Sequence, residues 1–163
     1  MNRPTFTMLV GLPGSGKSTY AAGLSGDFTY LSTDALVEAR AAELGLTYND
    51  VWSDYIGEAT RIVNEDFRAA VKAKRDIVWD QTNLSPKKRR RVLSQLPSVY
   101  RKVCRVISVN EEIRQDRLLR RPGKTIPAHV DKSMRESFVY PDKDEGFDMV
   151  VGHTTVATAG EAA

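Results

Sequence analysis

Gly11-Leu12-Pro13-Gly14-Ser15-Gly16-Lys17-Ser18 follows the apolar run Phe6-Thr7-Met8-Leu9-Val10 and leads into Thr19-Tyr20-Ala21-Ala22. The octapeptide reads G-x-x-x-x-G-K-S, the pattern of a phosphate-cradling loop between a strand and a helix. Glycines at these positions let the backbone curl until successive N–H groups point at one phosphate. The start of the following helix adds roughly half a positive charge behind them. Lys17 has the length to reach β- and γ-phosphates, and the Ser18 hydroxyl is placed to ligate a divalent cation. A chance glycine-rich turn would need neither the strand, the helix nor the Lys-Ser pair. The expected nucleotide contacts are therefore Gly11, Leu12, Pro13, Gly14, Ser15, Gly16, Lys17, Ser18 and Thr19, with ATP as donor and Mg²⁺ (or Mn²⁺) beside it.

Working outward, strand-like and helix-like segments alternate. Phe28-Thr29-Tyr30-Leu31 reads as a second strand, followed by a helix from Asp34 through Glu43 that Gly45 closes. A longer helix begins near Asn49, with Trp52, Tyr55, Ile56, Ala59, Ile62, Val63, Phe67, Ala70 and Val71 at three- and four-residue spacing on one apolar face. Asp76–Asp80 is the third strand. Ser85-Pro86 is an N-cap followed by proline at the first helical position, opening a helix that Pro97 ends. A fourth strand lies within Val99–Val109, and Asn110 caps the next helix, with Glu111 and Glu112 in its first turn. Arg121-Pro122-Gly123 breaks that helix. One more helix spans Pro127–Phe138, and Phe147–Val151 is a fifth strand. This alternation predicts an α/β fold: a parallel sheet of about five strands, order 2-3-1-4-5, with helices on both faces and ligands at the strands' carboxyl ends. The expected organisation is a single domain over residues 1–153, with an arginine-bearing lid at about 117–128 and a loose tail over 154–163.

The chain of 163 residues carries 41% hydrophobic and 28% charged residues, ordinary for a soluble globular domain. Its net charge of +3 suits a polyanion partner without requiring one. One cysteine excludes an internal disulfide framework. Cys104 lies in the run Val103–Ile107, where it reads as a packed strand thiol rather than a nucleophile. His129 and His153 have no neighbouring Cys or His, so no zinc site is expected. No apolar stretch suits a membrane span or a signal peptide, and a cytoplasmic setting is expected (host cytosol for a viral protein). Nothing in the sequence calls for a homo-oligomer.

Strand ends are where catalytic groups should gather. Asp34 follows the second strand, where it can accept the proton of an attacking hydroxyl or act as a helix N-cap. Asp80 closes the third strand in the manner of a carboxylate that holds Mg²⁺ directly or through water. Arg117 and Arg121, four apart, would share one helix face and grip phosphate oxygens; a solvated basic helix end is the plainer reading. The run Lys87-Lys88-Arg89-Arg90-Arg91 wraps right round its helix, so its members cannot all meet one ligand, although some could support a nucleic-acid backbone.

Four segments in order, the loop, the Asp34 strand end, Asp80-Gln81-Thr82-Asn83-Leu84-Ser85-Pro86, and Arg117/Arg121 continuing to Lys124-Thr125-Ile126-Pro127, resemble the 5′-kinase domain of bacteriophage polynucleotide kinase, a P-loop phosphotransferase. The resemblance covers Thr5–Met134. It implies transfer of the ATP γ-phosphate to the 5′-hydroxyl of RNA or DNA, with Lys17 and Ser18 holding ATP and metal, Asp34 as general base and Arg117 and Arg121 as lid arginines. Acceptor contacts are expected from Asp34, Arg40, Thr82 and Asn83. Where that family has an arginine for the acceptor's phosphate, this chain has Val37, with Arg40 as the nearest basic residue. The phage enzyme's 3′-phosphatase signature has no counterpart here. A small-molecule kinase uses the same parts, and a nucleotide-binding switch would use the loop alone.

Overall fold

The computed structural model describes residues 3–157. β1 (Thr5–Val10), β2 (Phe28–Leu31), β3 (Asp76–Asp80), β4 (Arg101–Ser108) and β5 (Met149–Thr154) form one sheet in the order β2-β3-β1-β4-β5. Every adjacent pair is parallel, which requires a crossover between successive strands. The helices α1 (Lys17–Ala22), α2 (Thr33–Leu44), α3 (Tyr48–Lys72), α4 (Pro86–Leu93), α5 (Glu111–Leu119) and α6 (Ala128–Ser137) supply those crossovers.

Alternation along β1 sends its side chains to two cores. Phe6, Met8 and Val10 pack with Val63 and Phe67 of α3 and Leu93 of α4. Leu9 turns to the other face, against Ala21 of α1 and Val78. The expected apolar face of α3 is divided as well: Val63, Phe67 and Ala70 join the main core, while Val51 and Ala59 pack with Val37 and Ala41 of α2. Val37 is therefore a core residue of the α2–α3 pair, fully buried, and its place in the sequence offers nothing to an acceptor. Cys104 is buried in the main core, where burial pushes its thiol up to about 12.

Local signals set most element ends. Ser85 accepts from the Lys88 amide, with Pro86 at the first helical position, and Asn110 accepts from the Glu112 amide. α4 stops at Leu93, short of Pro97. The expected loose tail is corrected at its start. Thr154 is the last residue of β5 and pairs with Ser108. The Thr155 amide donates to the Ser108 carbonyl at 2.7 Å and its hydroxyl to the Ser15 carbonyl at 3.0 Å. Small polar composition reads as tail, but a strand edge with open donors can still pair such residues. Residues 158–163 of that tail lie outside the described residues.

Candidate active site

The loop between β1 and α1 is shaped by close approach. A Cβ on Gly11 would stand 2.5 Å from the Ile107 carbonyl oxygen and 2.7 Å from Ser15 Oγ, and Gly14 and Gly16 hold φ of 82° and 101°, open to glycine at little cost. The Gly11 amide donates to the Thr82 carbonyl at 3.1 Å, tying the loop to the end of β3. From the other side, the buried Arg114 donates to the Pro13 carbonyl at 3.0 Å while paired with Asp131 and Glu111. Sequence reading passed over Arg114, because nothing in a helical Arg reveals that its partners lie in a loop a hundred residues away.

Lys17 sits at the first turn of α1, its Nζ donating to the carbonyls of Gly11 at 2.9 Å and Leu12 at 3.2 Å. Burial drives its ammonium down to about 8, against the raising influence of Asp80 and Asp34; Arg121 and Lys124 lower it further. These five groups thus share one electrostatic neighbourhood, and all line one cleft of about 1380 Å³.

Asp34 is not the cap of its helix. Ser32 takes that role, accepting from the Ala35 amide at 3.2 Å, which leaves the Asp34 carboxylate for the cleft. Tyr48 Oη donates to it at 2.8 Å and Lys124 Nζ at 2.9 Å. Burial works to raise its pKa, but the Lys124 charge and these hydrogen bonds outweigh burial and hold the carboxyl below the usual range. Asp80, 6% exposed, goes the other way: burial raises it despite a 2.6 Å hydrogen bond from Tyr30 and the nearby Lys17. Both phenols are pushed well above their ordinary range, first by burial and then by these carboxylates, so each remains a donor.

The Arg-Pro-Gly break docks on the α2–α3 elbow. Lys124 Nζ also bonds Glu38 at 2.7 Å and lies 4.2 Å from the centre of the Tyr48 ring. Asn49 exchanges hydrogen bonds with Thr125 and its amide donates to the Gly123 carbonyl. A Cβ on Gly123 would meet Thr47 at 2.5 Å, so only glycine permits this approach. Lys124, Tyr48, Asn49 and Tyr30 are site residues that sequence reading did not single out. Their partners lie on other elements, far away in the chain.

Several expected positions are corrected. Arg117 and Arg121 do not share a helix face: α5 ends at Leu119, Arg117 donates to the Gly14 carbonyl at 3.3 Å, and Arg121 alone lines the cleft. Arg40 is outside the cleft lining, paired with Glu43 and stacked near Tyr55. Thr82 and Asn83 both line the cleft, but Asn83 spends its amide group on the carbonyls of Leu9 and Gln81 and accepts from Trp79. With φ of 52°, it shapes the turn after β3 and has no donor left for an acceptor. The basic run also divides: Arg89 is fully buried, Lys88 and Arg91 line the cleft, and Lys87 and Arg90 face out.

The residues fit a magnesium nucleotide. Among the described residues, Ser15 Oγ is buried with no hydrogen-bond partner, inside a cradle that side chains on Gly14 and Gly16 would strain. Ser18 and Asp80 line the same cleft, as hydroxyl and carboxylate donors of the kind Mg²⁺ takes.

Loop, sheet order and cleft define a P-loop protein of the kinase fold. The chain belongs to the family described as AAA domain (AAA_33), whose model matches residues 6–141. It is 27% identical over 153 residues to mouse (Mus musculus) heterogeneous nuclear ribonucleoprotein U-like protein 2, covering 88% of this chain but only 20% of that relative's length. Among solved structures, a candidate kinase from Chloroflexus aurantiacus J-10-fl superposes with a TM-score of 0.69 at 18% identity, covering 100% of this chain and 90% of the other. A chain of the Pnkp1/Rnl/Hen1 RNA repair complex does so with a TM-score of 0.62 at 22% identity, covering 84% and 44%. A sugar kinase and a fungal RNA kinase share the fold too. Fold alone does not choose between their acceptors. No helix among the described residues is long and apolar enough to cross a membrane.

Proposed function

We propose that this chain is an ATP-dependent polynucleotide 5′-hydroxyl kinase. One observation carries the reading: Lys17, Asp34, Asp80 and Arg121, from four separate segments, open into a single cleft whose volume of about 1380 Å³ exceeds the roughly 300–1,000 Å³ of small-ligand pockets. The motif resemblance to the phage kinase domain supports the same acceptor.

In this mechanism the loop amides and Lys17 hold the phosphates and Arg121 meets the transferring phosphoryl group. Mg²⁺, held by Ser18 and through Asp80 or its water, offsets charge on the phosphate oxygens when bound. Asp34, ionised at neutral pH because its pKa is held low, accepts the proton as the 5′-oxygen bonds to the γ-phosphorus and ADP departs. Lys124 and Tyr48 fix the direction of that carboxylate. Labelled γ-phosphate offered with 5′-OH oligonucleotides and, separately, with a panel of sugars and nucleosides tests the assignment. Label in the oligonucleotides upholds it, and label in the panel alone makes the chain a small-molecule kinase, the reading its sugar-kinase neighbour favours.

Lys17 links nucleotide binding to pH. In the free protein its ammonium titrates at about 8, and phosphates placed against it raise that value. The nucleotide-bound protein therefore holds more protons than the free protein between about pH 8 and the raised value, and affinity falls as pH climbs through that window, by up to about tenfold per unit for one linked proton. Calorimetric titration with ATP in buffers of different ionisation enthalpy should show proton uptake at alkaline pH. No uptake would remove Lys17 from contact with the phosphates.

A further inference from the structure

Charge is segregated along the cleft. All three carboxylates that line it, Asp34, Glu38 and Asp80, belong to the segments around the loop and lid. Away from them every charged residue of the lining is a cation: Arg61 and Arg68 from α3, Lys88 and Arg91 from α4. Arg61 is paired with Glu65 at 2.8 Å. Arg68, Lys88 and Arg91 are exposed and make no ion pair among the described residues. Unpaired guanidinium and ammonium groups on two helices that border one cleft are suited to phosphates that arrive from outside.

α3 carries the same stripe from the carboxylate outward. Trp52, Ile56, Thr60, Asn64 and Arg68 all line the cleft and recur at every fourth position, so they form one row along the helix. Tyr48, whose hydroxyl holds Asp34, stands one turn before Trp52. Trp52 is 46% exposed, an unusual state for an indole inside a concave site. At 1.5 Å per residue, Trp52 to Arg68 spans about 24 Å. That length accommodates about seven stacked nucleotides at 3.4 Å per phosphate.

From these observations we infer that α3 and α4 form a track for the single strand that trails the reacting 5′ end: an early base stacks on Trp52, and later phosphates are held by Arg68, Lys88 and Arg91. The inference rests on the kinase reading for its direction and deepens it, assigning the acceptor as an oligonucleotide strand rather than a mononucleotide. Aromatic stacking with cations tracking the backbone is the combination that holds single strands irrespective of sequence.

The test is binding of 3′-fluorescein-labelled 5′-OH single strands, a dinucleotide and a dodecanucleotide, by anisotropy across a salt series, with transfer from labelled ATP measured in parallel. Affinity should rise with length. Trp52→Ala should weaken binding of both by roughly 5- to 150-fold, the range for one base-on-aromatic stack. The double variant Arg68→Gln/Arg91→Gln should weaken only the dodecanucleotide, flatten its slope of log affinity against log salt by about 1.4, at 0.7 per lost phosphate contact, and raise its KM more than it lowers kcat. Lys87→Gln, on the outer side of α4, removes a charge without touching the track and should change neither slope nor affinity. Equal affinity for the two lengths, or an unchanged slope in the double variant, overturns the track. Phosphorylation of both strands without length dependence does the same while leaving the kinase reading in place. Length-dependent binding that the double variant abolishes, with no phosphate moved, sustains the track and removes the kinase reading instead.

Discussion

An Arg121→Ala variant should transfer phosphate about 10³–10⁵-fold more slowly than the parent chain, the loss expected when an arginine that meets a transferring phosphoryl group is removed. Two features single out this residue. Arg121 lines the cleft beside Lys17, and among the described residues no carboxylate neutralises it. Its counterpart in sequence, Arg117, bonds the Gly14 carbonyl instead. Arg117→Ala should therefore loosen the loop and weaken ATP binding more than it slows transfer. Asp34→Asn keeps the shape of the carboxyl but removes its basicity and one of the two acceptor oxygens that Tyr48 and Lys124 use, with an expected loss of about 10²–10⁴-fold. Single-turnover rates at saturating ATP separate these effects, because they exclude binding and product release. A loss of less than tenfold for Arg121→Ala would detach this residue from the reacting phosphate. A normal rate for Asp34→Asn would remove the general base.

The contrast between the two arginines shows what this sequence disclosed and what it withheld. Spacing of four placed them on one helix face, yet Arg121 precedes Pro122, and the proline ring disfavours the helical region for the residue before it. That steric rule was present in the sequence and outranks periodicity here; α5 accordingly ends at Leu119. The loop and the caps at Ser85 and Asn110 were legible because each depends on neighbours in the chain, whereas the strand order joins distant segments and was legible only through the alternation of strands and helices after the loop. Asp34 was legible as a strand-end carboxylate, but its freedom depended on Ser32 taking the cap. The Lys124 and Tyr48 contacts that orient it were hidden, since they join segments far apart in sequence. The basic run on α4 was least legible of all. Five cations in succession gave no sign which one the fold would bury, because the answer lay in Glu145.

Arg89→Ala should lower stability by about 3–5 kcal/mol, the cost of stranding one member of a buried ion pair. Its guanidinium is fully enclosed, donating to Glu145 at 2.7 and 2.6 Å and to the carbonyls of Asn83 and Leu84 at 2.9 and 3.0 Å. Deletion leaves a carboxylate that is 3% exposed in its side chain and strips the Asn83 carbonyl of its donor, while the Leu84 carbonyl keeps the Val139 amide at 3.0 Å. At about 2–4 °C per kcal/mol for a domain of this size, the midpoint of thermal unfolding falls by about 6–20 °C. A double variant, Arg89→Met/Glu145→Leu, removes both charges and should recover much of that loss, although the Asn83 carbonyl remains unsatisfied. Burial tends to raise the Glu145 pKa, but Arg89 and the Asp142 amide outweigh it and hold the carboxyl below its usual range. Its stabilising contribution is consequently complete above the unfolded value of about 4.3 and disappears as pH falls through the lower folded value. The parent should thus lose stability on acidification over that window, and the double variant should lose less. Melting curves followed by circular dichroism decide the matter: an Arg89→Ala midpoint within a degree or two of the parent would mean that the pair does not hold α4 to the turn before β5.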